Sequence, residues 1–134
     1  MRRKSRECAF KIIFAGQFHT DVGESFRRGV YKAFGLNEEE RAYAETLLSL
    51  VEEHREELLS ALDSLAIGFS AERLFPADKS LMLMAMAEIR YGKDVPPAVA
   101  IDEAVGLARQ YSTEKSAGFV NGILAAFLAE DKKQ

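Results

Sequence analysis

The chain has 134 residues, 48% hydrophobic and 29% charged, enough for one domain with its own core and too apolar for intrinsic disorder. A net charge of −3 argues on its own against nucleic acid, and the single cysteine, Cys8, excludes an internal disulfide and fits a reducing, cytoplasmic setting. No stretch nears the ~18–20 apolar residues of a membrane span; the longest, Leu81–Ala87 and Gly122–Ala129, are short.

Residues 1–11 carry Arg2, Arg3, Lys4, Arg6 and Lys11 against one acid, Glu7. The start is basic and then apolar, but Lys11 interrupts it and no A-x-A site follows, so it does not read as a signal peptide. It opens a helix over 3–19, with Ala9, Ile12, Ile13 and Gly16 on one stripe and Phe10 and Phe14 beside it. Residues 24–34 form a second helix, stopped by Gly35. Asn37 followed by Glu40 resembles a capping box and opens a long third helix to about Ala66. Its seam is Tyr43, Leu47, Val51, His54, Leu58, Leu62 and Leu65, and acids crowd its other faces from Glu38 to Asp63.

Gly68 breaks the pattern, which sets a boundary at 67–70 and two subdomains, 1–67 and 68–134, within one domain. A short turn or helix over Ser70–Phe75 is followed by Pro76, suited to opening a helix. Helix 78–91 is apolar on nearly every side, the mark of a central helix, and Gly92 ends it. Glu88 lies within it, where a lone carboxylate needs a partner; a structural ion pair or cap is expected, not a general acid. Pro96 or Pro97 starts the next helix through Tyr111, with Asp102 and Glu103 read as first-turn acids. Thr113 caps the last helix, whose stripe is Val120, Ile123, Leu124, Phe127 and Leu128. The expected architecture is all-α, two packed helical subdomains of about three helices each.

Two groups stand out as candidate sites. Arg2 and Arg6, four apart, share a helix face, flanked by Arg3 and Lys4. Arginine's planar fork suits phosphate, and the bland alternative is a solvated, frayed terminus. Gly118 and Gly122, one turn apart, each cost a helix roughly 1 kcal/mol relative to alanine. Close helix–helix packing is the expected offset, and backbone–ligand approach the alternative. Ala125, Ala126 and Ala129 continue this small-residue strip, and Phe119 beside the buried stripe is either core or a platform for stacking. His19 and His54 lack ligand-spaced partners, so no metal or cofactor is expected. No nucleophile–base grouping, P-loop or dinucleotide fingerprint is present, so no catalytic residue is expected.

Three stretches, Arg2–Gln17, Arg73–Tyr91 and Lys93–Leu124, resemble the NusB family. The carriers are the arginine-rich start, Val95-Pro96 before Ile101-Asp102-Glu103-Ala104-Val105, and Ser116-Ala117-Gly118-Phe119-Val120-Asn121-Gly122. The resemblance implies a helical, non-catalytic factor. It would bind single-stranded box A RNA with NusE, a small-subunit ribosomal protein, and keep RNA polymerase elongating on ribosomal RNA operons. It maps RNA contacts onto Arg2, Arg3 and Arg6 and makes Phe119 a stacking ring; Lys4 beside them, and Lys79 and Lys115, are read as further cations. Where the family usually has Arg, this chain has Lys79 and Leu83; where it often has Lys before the Phe, this chain has Gly118. Two rival readings remain: a protein-only scaffold or homodimer, and a non-catalytic relative of the helical domain of ribosomal RNA cytosine methyltransferases.

Overall fold

The computed structural model describes residues 2–67 and 74–133, and every regular element among them is an α-helix. In chain order these are α1 (Arg2–Gly16), α2 (Glu24–Ala33), α3 (Glu38–Glu53), α4 (Arg55–Leu65), α5 (Pro76–Tyr91), α6 (Pro97–Tyr111) and α7 (Ser116–Lys132). Among the described residues no helix is long and apolar enough to cross a membrane.

Local signals in the sequence set several boundaries. Asn37 Oδ1 accepts the Glu40 N–H at 2.8 Å and Glu40 Oε1 accepts the Asn37 N–H at 2.9 Å, so the expected capping box is present. Gly35 has φ +66°, and the bonds Leu36 N–H to Tyr31 O and Gly35 N–H to Lys32 O close α2 in a Schellman motif. Pro76 and Pro97 occupy the first positions of α5 and α6, where their missing N–H costs nothing.

Four expectations need correction. The first helix ends at Gly16, not His19; past it the Gln17 amide donates to Pro76 O at 2.8 Å, which draws the chain toward the start of α5. The long third helix is two helices, broken at His54 (φ −110°, ψ 19°). The His54 ring stacks on Tyr91 of α5 at 3.7 Å between centroids. The buried seam Leu47, Val51, Leu58, Leu62 runs on across this break. Asp102 and Glu103 lie beyond the first turn of α6, since that helix starts at Pro97. Thr113 is not the cap of α7. Lys115 holds that position with no capping side chain, and Thr113 instead bonds the Ser116 hydroxyl.

Helix α5 is the axis. Residues Ser80 to Ile89 are all buried, and the helix packs against α1, α3, α4, α6 and α7. Helix α1 packs on α2 and α3, while α4 packs on α3, α5 and α7. The Ser70–Phe75 turn and the 67–70 boundary fall largely at 68–73, outside the described residues. At the far end Arg90 ties three helices: Nε to Asp131 Oδ1 at 2.9 Å, NH1 to Glu57 Oε1 at 2.6 Å, and its guanidinium over Phe127 at 4.5 Å.

All four tyrosines donate their hydroxyl to a glutamate on another helix: Tyr31 to Glu45, Tyr43 to Glu88, Tyr91 to Glu57 and Tyr111 to Glu7. Burial, and then the accepting carboxylate, raises each phenol above its ordinary range, Tyr43 and Tyr111 to about 12. Below about pH 10 the phenols are protonated in both folded and unfolded chains, so their contribution is complete. As pH rises further the unfolded chain releases its protons first, and stability falls until the folded phenols titrate as well. The urea midpoint should therefore fall progressively between about pH 10 and 12. Tyr43→Phe should remove part of that dependence, and a flat profile over the window would contradict these bonds.

Candidate nucleic-acid interface

The first turn of α1 puts three cations in solvent. Arg2, Arg3 and Lys4 are exposed, and the turn contains no acid. Cations at a helix N-terminus oppose the macrodipole, so helix stability does not explain them. Two contacts hold the turn in place. The Arg2 guanidinium lies 4.2 Å from the Tyr43 ring centroid, and the buried Ser5 hydroxyl donates to Glu40 O at 2.8 Å. Arg3 reaches Glu103 through Nε at 3.4 Å, with its side chain still 79% exposed.

Arg6 departs from expectation. Only 4% exposed, it is committed inside the protein. Its Nε lies 2.9 Å from Glu88 Oε1, its NH2 2.9 Å from Glu88 Oε2, and its NH1 3.2 Å from Glu103 Oε1. Tyr43 adds a hydroxyl bond to Glu88. Burial alone would lower the Arg6 pKa, but hydrogen bonding and charge from Glu88 outweigh it and hold the pKa above its ordinary value. With its fork occupied by carboxylates, Arg6 is not available to phosphate. Glu88 is thus the ion-pair partner its burial demanded.

A second cluster lies where α5 and α7 begin. Phe75, Asp78, Thr113, Lys115, Ser116 and Phe119 line a mostly apolar groove of about 240 Å³, with buried Leu74 beneath. Its polar floor is internally satisfied. Asp78 accepts from Ser112 Oγ at 2.6 Å and from Ser116 Oγ at 2.9 Å, and Thr113 bonds the Ser116 oxygen. Lys115 is exposed at the uncapped start of α7, and Phe119 is half-buried. The sequence reading missed Phe75, which is 57% exposed. Its only signal was an aromatic residue set directly before a helix-opening proline, out of register with the apolar face of α5.

The two clusters are neighbours, not one pocket. Arg3 meets α6 at Glu103, whereas the groove follows the end of α6 at Tyr111. Those eight residues span about 12 Å of helix at 1.5 Å per residue. Lys79 is half-buried on α5 next to Asp78 and is not among the groove residues. Gly118 and Gly122 overturn the packing expectation: both are exposed, and a Cβ at either would meet nothing within 4 Å. Their small size serves no contact among the described residues.

A family model described as the NusB family matches residues 3–129. The transcription antitermination protein NusB of Methylacidiphilum infernorum is 34% identical over 134 residues, covering 99% of this chain and 94% of that protein. Among solved structures, T. maritima NusB matches with a TM-score of 0.85 at 25% identity, over 100% of this chain and 98% of that one. A crystal structure of the antitermination factors NusB and NusE in complex with dsRNA matches with a TM-score of 0.87 at 24% identity, over 96% of each chain, and shows likeness of fold.

The geometry separates the arginines by role. Arg6→Ala strands a buried Glu88 and should destabilise the protein by about 3–5 kcal/mol. The pair Arg6→Met with Glu88→Leu should recover most of that loss, since apolar side chains of similar volume often replace a buried pair without cost. Alanine at Arg2, Arg3 or Lys4 should leave the urea midpoint nearly unchanged. An Arg6→Ala protein as stable as wild type would show that the buried pair does not hold the fold.

Proposed function

Because the chain belongs to the NusB family, we propose that it is an RNA-binding transcription antitermination factor that acts in the cytoplasm without catalysis. It binds a single-stranded box A RNA together with NusE, and the assembly serves RNA polymerase as it elongates through ribosomal RNA operons. The observation that carries this reading is the first turn of α1, where three exposed cations stand on a turn anchored by Ser5 and Arg6, with no acid in the turn. Arg2, Arg3 and Lys4 contact phosphates, Arg6 anchors the turn from within, Lys79 and Lys115 add positive charge, and Phe119 offers a ring to an unstacked base. The net charge of −3 does not oppose this, because screening limits the reach of distant acids to about 8–10 Å at physiological salt. The complex of NusB and NusE with dsRNA is known for a chain of this fold, which supports NusE as the partner.

The exposed flank of α7, with Gly118, Gly122, Ala125, Ala126 and Ala129, favours a second reading: a protein-only homodimer in which another backbone approaches this helix. Sedimentation with and without RNA separates the two, since only the first gives a heavier species when RNA is added.

The main test is fluorescence anisotropy of a labelled box A RNA, titrated with and without NusE at two salt concentrations. Binding should weaken with salt and strengthen with NusE. The triple change Arg2→Ala, Arg3→Ala, Lys4→Ala should leave the fold intact and reduce the salt slope by about 2, at about 0.7 per phosphate on a single strand. An unchanged slope would remove α1 from the interface. No binding under any of these conditions would shift the reading to the homodimer.

A further inference from the structure

The groove between the starts of α5 and α7 has a second aromatic wall, which the contacts assigned above leave unoccupied. We propose that Phe75 and Phe119 together receive one extruded RNA base, with its phosphate on Lys115, so that Phe75 is a binding residue of this chain. The inference rests on the RNA-binding reading above.

The placement of Phe75 is the first argument. It is the N-cap residue of α5, between buried Leu74 and Pro76, with φ −58°, ψ 133° and its carbonyl accepting the Lys79 N–H at 2.9 Å. A proline that follows holds such a residue in the extended region. The exposed ring therefore stands on a fixed backbone, and little ordering remains when something stacks on it.

Size and charge choose the occupant. About 240 Å³ falls below the roughly 300–1,000 Å³ of pockets for drug-sized ligands, but suits a single planar ring. Lys115 supplies the cation a phosphate needs at the rim, on a helix start with no acid in its first turn. Arg3 of the basic turn pairs with Glu103, about 12 Å of helical rise before the end of α6, and a single strand that follows α6 would meet both.

The floor sets the selectivity. The Asp78 oxygens are held by Ser112 and Ser116, and the Ser116 oxygen by Thr113, so among the described residues each hydroxyl of the floor already has a partner. The base is gripped by its faces, which all four bases share, so the position tolerates sequence change but not loss of the base.

The experiment measures anisotropy of a labelled box A RNA, with NusE present, against wild type, Phe75→Ala and Phe75→Trp. A set of RNAs each carrying one abasic nucleotide extends it. Phe75→Ala should weaken binding about 5- to 100-fold, the range that base–aromatic stacking gives, while Phe75→Trp binds like wild type. At one nucleotide, removing the base should weaken the wild type more than it weakens Phe75→Ala, in which only Phe119 is left to stack on that base, the non-additivity of two groups that touch. Changing that base's identity should matter less than removing it. Equal binding by Phe75→Ala and wild type, or additive losses at every nucleotide, would overturn the groove assignment and leave RNA binding standing. A wild-type protein that binds none of these RNAs would overturn the RNA reading itself.

Discussion

The buried contact of Arg6 with Glu88 is the constraint on which the rest depends. Both side chains are nearly sealed, at 5% and 1% exposure, and they join α1 to the central helix α5 across 82 residues of sequence. Tyr43 brings in α3 through Glu88, and Glu103 brings in α6 through Arg6. Such a pair is expensive to desolvate and stabilises only when its hydrogen bonds are complete, which makes its geometry exacting. With α1 fixed in this way, Arg2, Arg3 and Lys4 are presented at a set height on the surface. The structural arginine determines where the exposed cations can be.

The same economy of polar groups runs through the molecule. Arg90 pairs its charge with Glu57, and four phenols fix glutamates in place through hydrogen bonds, each of which crosses between helices. Glu7 is the instructive case. It is the one acid among the first eleven residues, and it turns to Tyr111 on α6. An acidic chain thereby keeps a basic turn whose nearest sequence neighbour of opposite charge is engaged elsewhere.

What the sequence disclosed followed the range of its causes. The capping box at Asn37, the glycine stop at Gly35 and the proline starts at Pro76 and Pro97 are set by residues within a turn of each other, and all were legible. The all-round apolar pattern of α5 likewise announced a central helix. The break at His54 has no local signal, because the ring that receives it, Tyr91, is 37 residues away and the apolar seam runs straight through. Spacing put Arg2 and Arg6 on one face, and both do lie near Tyr43, at 4.2 and 5.7 Å. Depth, which spacing does not encode, divided them into a surface cation and a core one. Phe75 was hidden for a related reason: its importance comes from a groove completed by α7.

Burial also changes the meaning of the departures from the family. Leu83, where the family resemblance implied an arginine, is fully buried in α5. A leucine there fills the core, and no cation is missing from the surface of this fold on its account. Gly118 is different. It is exposed, one residue before Phe119, so the lysine that the family resemblance implied there would be a positive charge this surface lacks. Every phosphate that goes without a cation lowers the salt dependence of single-strand binding by about 0.7, whereas stacking on a ring is insensitive to salt. On the proposed reading, a groove with two aromatic walls and, among the described residues, one cation at its rim would shift the balance of recognition from charge toward stacking.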